Sequence, residues 1–144
     1  MGKKRIVKKA GGGVDQGKVS RSLSRTVRKS VGKGTLYVRA TYNNTRLLLA
    51  DKDGGTLAWS SSGALGFKGA KKGTPFAAAK VGELLAEKAG IMGVKEVAVI
   101  VKGVGPGRES SIRAFVSRGV DLLSIQDKTP VPHNGPRAKK PRRV

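Results

Sequence analysis

An apolar run, a glycine loop and the start of a helix follow one another without interruption between Val97 and Gly119. Val97-Ala98-Val99-Ile100-Val101 is short enough for a strand, and its lack of alternation suggests burial on both faces, as in the middle of a sheet. Gly103-Val104-Gly105-Pro106-Gly107 breaks that strand. A helix then runs from about Arg108 to Arg118, with Ile112, Phe115 and Val116 as its inner face and Gly119 as its stop. Val120 to Asp127 reads as a further strand, with Leu123 and Ile125 at alternating core positions. Strand, helix and strand in this order call for a right-handed parallel crossover. Glycines between a strand and a helix also leave backbone N–H groups pointing outward at a helix N-terminus, a ready site for phosphate.

The chain ahead of this unit completes the sheet. Leu36, Val38, Ala40 and Tyr42 alternate with Tyr37, Arg39 and Thr41, a period of two that predicts a strand with one buried face. Asn43-Asn44 suits a tight turn because asparagine tolerates left-handed backbone. Arg46 to Ala50 is the second strand, Asp51-Lys52-Asp53-Gly54-Gly55 a turn, and Thr56 to Ser60 the third strand, with Leu57 and Trp59 on one face. Ser61 to Thr74 is a loop rich in glycine and lysine, and its Phe67 is expected to tuck onto the domain edge rather than stack on a base. Thr74-Pro75 caps and starts a helix, Ala77, Val81, Leu84, Leu85 and Ala89 recur at helical spacing, and Gly90 ends it. The expected fold is α/β: a three-stranded antiparallel meander followed by α-β-α-β in one mixed sheet, over residues 34–128.

Charge constrains the partners. The 144 residues carry 30 Lys plus Arg against 9 Asp plus Glu, a formal net charge of +21 that repels itself unless a polyanion neutralises it. Nucleic acid is the fitting polyanion. No window approaches the roughly 20 apolar residues that span a bilayer, and no basic helix carries a bulky aromatic face, which argues against a membrane partner. With no cysteine there are no disulfides, thiolate nucleophiles or cysteine–zinc sites, as suits a reducing compartment. Met1-Gly2-Lys3-Lys4-Arg5 lacks the apolar core of a secretory signal, and a cytoplasmic location is expected. Residues 1–33 read as a basic arm, flexible or ordering on nucleic acid, in which Ser20 to Val31 could form a short helix on binding. Residues 129–144 read as an extended basic tail, since Pro130, Pro132 and Pro136 lack the N–H groups a helix or central strand needs.

Enzymatic readings of the glycine loop fare poorly. A P-loop counted from Gly103 would need glycine and lysine where Arg108 and Glu109 stand. A dinucleotide fingerprint finds Gly103 and Gly105 but again meets Arg108 at its third glycine, although Asp127 lies at about the twenty-residue offset of a ribose ligand. A nuclease built on this strand order needs carboxylates converging on metal ions, and Thr35 to Tyr42 has none. His133, the sole histidine, offers too little for a metal site. No catalytic constellation, metal or cofactor is expected. A nucleotide-binding enzyme using residues 103–107 stands as the alternative to a binding protein, and a general basic packaging protein as a third reading. Phosphate contact without chemistry remains: Lys102 and Arg108 bracket the loop, and basic residues are spread over several segments, as suits a protein wedged between RNA helices.

Asn43-Asn44-Thr45, Ser62-Gly63-Ala64-Leu65-Gly66-Phe67-Lys68-Gly69, Thr74-Pro75-Phe76-Ala77-Ala78, Gly103-Val104-Gly105-Pro106-Gly107-Arg108-Glu109 and Pro130-Val131-Pro132-His133-Asn134-Gly135 closely resemble the small-subunit ribosomal protein S11 family, in its bacterial form. The resemblance runs from about Gly34 to the C-terminus. It implies a ribonuclease-H-like topology without nuclease activity. It further implies a structural place on the platform of the small subunit, bound to its ribosomal RNA, beside neighbouring small-subunit proteins and near the messenger RNA exit path. The RNA-binding residues it implies are Asn43, Asn44 and Thr45, then Lys68, Lys71 and Lys72, then Gly103, Gly105, Gly107 and Arg108, beside the Lys102 that the charge pattern already points to. To these it adds His133, Asn134, Gly135, Arg137, Lys139, Lys140, Arg142 and Arg143 of the tail. Pro136 to Lys140 departs from the family's usual run, and the N-terminal arm matches nothing in it.

Overall fold

The computed structural model describes residues 13–26, 30–141 and 143. Its elements are α1 (Gln16–Ser24), β1 (Lys33–Ala40), β2 (Thr45–Asp51), β3 (Thr56–Ser61), α2 (Pro75–Ile91), β4 (Glu96–Lys102), α3 (Gly107–Val116) and β5 (Asp121–Asp127). The strands form one five-stranded sheet in the order β3-β2-β1-β4-β5. The β1–β2 and β2–β3 pairs are antiparallel, while β1–β4 and β4–β5 are parallel. This is the expected meander followed by parallel crossovers.

The helices cover one face. Leu36 and Val38 of β1, Leu47 and Leu49 of β2, and Val97, Val99 and Val101 of β4 point into the core with Val81 and Leu85 of α2 and Phe115 of α3. Each such side chain, fully buried, contributes roughly 1.5–3 kcal/mol relative to exposure. Gly82 lets the two helices cross closely, since a Cβ there would lie 2.4 Å from the Ser111 carbonyl oxygen. Thr74 caps α2 through its hydroxyl, which accepts the Ala77 N–H at 3.3 Å. The helix passes Gly90, the expected stop, and ends at Ile91; the chain turns at Gly93, whose φ is +70°.

Among the described residues, no helix covers the opposite face of the sheet. Trp59, Leu48, Tyr37 and Ile100 stand in register across it on neighbouring strands. Trp59 lies on this outer face, with Ala58 and Ser60 pointing inward, but Leu57, the extra residue where the β2–β3 register shifts beside Ala50, packs against the core, so the shared face expected for Leu57 and Trp59 is corrected. The β4 strand lies inside the sheet as expected, but Ala98 and Ile100 are only half-buried, since none of the described helices packs over them.

Two further sequence expectations are corrected here. Tyr42 lies beyond β1 in the following turn and is exposed, so the buried alternation stops at Ala40. Leu123 and Ile125 are each 56% exposed, and every residue of β5 is exposed. The physical reason is position: β5 is an edge strand, α2 packs on β2 and β3, and α3 packs on β1. Alternation reports which residues share a face but not whether a layer covers that face.

The segment 13–26, within the stretch read as a basic arm, holds the helix α1. It begins before the Ser20–Val31 span expected to become helical and ends at Ser24; Val27, Arg28 and Lys29 lie outside the described residues. Asp15 caps it, its carboxylate accepting the N–H groups of Gly17 and Lys18 at 3.0 and 3.3 Å. The Asp15 N–H donates to the Leu65 carbonyl at 2.8 Å, and Val14, Val19 and Leu23 pack on the core.

Candidate nucleic-acid interface

The strand directions bring the basic segments together. β3, β4 and β5 run parallel to β1, so four of the five strands end at the same side of the sheet. Loops beyond the carboxyl ends of strands are where open α/β sheets place their binding sites. Four segments emerge there: the asparagine turn after β1, the lysine loop after β3, the glycine loop after β4 and the tail after β5.

These segments are fitted to one another by glycines. A Cβ on Gly103 would fall 2.1 Å from the Ala40 carbonyl oxygen, and one on Gly105 would fall 2.2 Å from that of Thr41. A Cβ on Gly107 would meet the Thr45 hydroxyl at 2.2 Å, and one on Gly73 the Tyr42 carbonyl at 2.0 Å. The asparagine turn is therefore clamped between the glycine loop on one side and the lysine loop on the other. Gly105 and Gly107 face inward and are buried, so their small size serves packing rather than approach of RNA to the loop. Of the loop's N–H groups, that of Gly105 donates to the Ala40 carbonyl at 3.0 Å and that of Gly103 to the Thr129 hydroxyl at 3.2 Å.

Arg108 is drawn into the same latch. Its guanidinium donates to the Gly103 carbonyl and to the Asp127 carboxylate. The other Asp127 oxygen accepts the Thr129 N–H at 2.9 Å and the Thr129 hydroxyl at 2.5 Å. Thr129's hydroxyl, the Arg108 guanidinium and the Thr129 N–H together hold the Asp127 carboxyl down from its ordinary 3.8 to about 2. The latch joins the glycine loop, the end of β5 and the first residue of the tail. Asp127, which stands at the ribose-ligand offset of a dinucleotide fold, is thus engaged by Arg108 and Thr129.

The lysine loop is anchored by its aromatic residue. Phe67 is buried and meets Phe76 edge-to-face at 6.1 Å between centroids, as expected for a loop phenylalanine tucked onto the domain. A 3-10 turn over Gly69–Gly73 then presents Lys68 and Lys71 fully and Lys72 partly to solvent. In the asparagine turn the Thr41 hydroxyl donates to the Asn44 carbonyl at 3.0 Å and accepts the Asn44 N–H at 3.1 Å. Asn43 is exposed, Asn44 half-buried and Thr45 buried.

Residues 34–143 match the sequence model of ribosomal protein S11. The chain belongs to the S11 family. It is accordingly a ribosomal protein of the small subunit, an RNA-binding component of a ribonucleoprotein that serves translation, in a family that is structural rather than enzymatic. The mixed sheet with its helices agrees with the fold of that family. Among the described residues no helix is long and apolar enough to cross a membrane.

The sequence-derived site residues fall into three kinds. Lys68, Lys71, Lys102, Asn43 and the tail residues His133, Asn134, Gly135, Arg137, Lys139, Lys140 and Arg143 are exposed around the shared end of the sheet or on the tail that leaves it. Thr45, Gly105, Gly107 and, in part, Gly103 and Arg108 are structural, holding the loops in place. Arg142 lies outside the described residues. Sequence reasoning missed the latch role of Asp127 and Thr129. Its only trace in the sequence was the acidic residue at a fixed distance from Arg108, which a ribose reading also accommodates.

Proposed function

We propose that this chain binds small-subunit ribosomal RNA on the platform, near the messenger RNA exit path and against neighbouring small-subunit proteins. The asparagine turn, lysine loop, glycine loop and tail form the RNA-facing surface. The observation that carries this reading is the emergence of all four segments at one end of the sheet. Lys68, Lys71, Lys72 and Lys102 supply cations for phosphates, and Asn43 offers an amide that can both donate and accept. The glycine loop and Arg108 fix the spacing of those groups. Arg137, Lys139, Lys140, Arg142 and Arg143 extend the contact along a neighbouring RNA segment, with His133, Asn134 and Gly135 at the bend of the tail. The platform location and the proteins beside it follow from the resemblance of the chain to its family.

The test is a salt titration of binding to a platform fragment of small-subunit RNA. Replacing Lys68, Lys71 and Lys72 together by alanine should lower the slope of log affinity against log salt by about 2–3, at roughly 0.7–0.9 for each phosphate that is no longer neutralised. An unchanged slope in a folded triple variant would remove the lysine loop from the RNA surface.

A further inference from the structure

The helix-free face of the sheet is ordered in rows, because residues paired across neighbouring strands point to the same side. One row runs Trp59, Leu48, Tyr37 and Ile100 from β3 to β4. Trp59 is 50% and Tyr37 37% exposed, while Leu48 and Ile100 are half-buried. The next row, nearer the end of the sheet from which the loops emerge, runs Arg46, Arg39 and Lys102, all exposed. An aromatic, apolar strip thus lies beside a cationic one.

The cationic row is unfavourable by itself. Arg39 stands directly opposite Arg46 on one side and Lys102 on the other, and like charges at opposed positions repel. Among the described residues no carboxylate pairs with any of the three. Glu96, the carboxylate that β4 carries on this face, stands at the opposite end of the strand and is held there by Lys33 at 2.6 Å. An anion laid along the row removes the repulsion. The Arg46 guanidinium lies 5.2 Å from the centre of the Trp59 ring, which ties the two rows together. A duplex would use the cations and leave the rings idle, since its bases are stacked inside it. A single strand uses both, because bases stack on aromatic rings and guanidinium planes while cations track the phosphates. Trp59 and Tyr37 are two strands apart, about 10 Å at the usual strand spacing, which leaves room for a base on each with Leu48 as the floor between them.

We propose that a single-stranded segment of RNA crosses this face, its phosphates along Arg46, Arg39 and Lys102 and its bases against Trp59 and Tyr37. The inference rests on the RNA-binding reading above. It adds a second surface, continuous with the loop surface at Lys102, where β4 gives way to the glycine loop.

Trp59 is the chain's only tryptophan, so its fluorescence reports on this face. The full chain is titrated with a short unstructured RNA, with an RNA duplex of equal length and with polyglutamate, while retention of each RNA is measured separately by filter binding. The single strand should quench Trp59, and the duplex should not. Tyr37→Leu, which keeps an apolar side chain but loses the ring, should weaken single-strand binding about tenfold with an unchanged thermal midpoint. The Arg39→Gln, Arg46→Gln double variant should lower the salt slope of single-strand retention by about 1.4, at roughly 0.7 for each phosphate that is no longer neutralised. Equal quenching by the duplex would overturn the assignment to a single strand. Equal quenching by polyglutamate would give the face to an acidic peptide and overturn the proposal. Single-strand retention without quenching, or retention indifferent to both the tyrosine and the arginine variants, would overturn the sheet face while leaving the RNA-binding reading intact. Retention of neither RNA would defeat both.

Discussion

The glycine loop and the C-terminal tail leave the sheet side by side, yet they hold their charge in different ways. In the loop, Arg108 turns back on Gly103 and Asp127, and the glycines lie against the ends of β1 and β2. In the tail, every described residue from Pro130 onward is exposed. One region is set before any partner arrives, and the other presents cations with little structure of its own. The contrast separates two contributions that a count of basic residues merges. In the proposed reading, the loop sets geometry, and the tail and the lysine loop supply the charge that would release counterions.

The sharpest way to break this division is to disturb the loop without touching charge. Gly105→Ala places a methyl group against the Thr41 carbonyl, which belongs to backbone and cannot swing aside. Overpacking of this kind should cost about 3 kcal/mol, visible as a lowered denaturation midpoint in urea. If Gly105→Ala folds with unchanged stability, the clamp on the asparagine turn is not as described.

Next in size is the reverse experiment. Replacing Arg137, Lys139, Lys140 and Arg143 together by alanine should leave the thermal midpoint in place. It should lower the salt slope of RNA binding by roughly 3–4. A destabilised protein with an unchanged slope would invert the assignment.

A smaller effect is expected from Arg108→Ala. The guanidinium is partly shielded and already paired, so its loss should weaken RNA binding less than loss of the tail charges. It should also loosen the loop, and Asp127→Asn in the same background should add little further change in midpoint, since both residues serve one latch.

The smallest effect is on pH dependence. Asp127 titrates at about 2 in the folded protein against an ordinary 3.8. Its contribution to stability is therefore complete above the ordinary value and is lost as pH falls through about 2. The amide resonance of Thr129 should shift in that acidic window, and Asp127→Asn should abolish the shift.

Much of this architecture was legible because its cause is local. The alternation in Leu36, Val38 and Ala40, the Thr74-Pro75 start of α2 and the unbroken run in β4 each reflect a periodicity or a cap that neighbouring residues dictate. The failures share a different cause. Leu123 and Ile125 alternate as a core strand does, but their burial depends on whether a helix reaches the edge of the sheet. The docking of α1 was hidden because Val14, Val19 and Leu23 are few among many cations, and each needs the distant core to pack on. At the site, the motifs named segments that the fold brings to one end of the sheet, but their division of labour was not readable. That Gly105 fills a gap beside Thr41, and that Arg108 pairs with Asp127, are facts of strands adjacent in space and far apart in sequence.

The bare margin of β5 has a consequence for the protein before it reaches its RNA. Leu123 and Ile125 stand open on a strand whose outer row of N–H and C=O groups pairs with no other strand among the described residues. Such a margin is a template on which a second copy can add, and addition can repeat. Mutual repulsion at a net charge of +21 is the counterweight while the chain is alone, and it disappears once RNA neutralises it. Loose polyanions that meet the cations without ordering the chain would therefore precipitate it. Solubility of the unassembled protein thus depends on which encounter comes first.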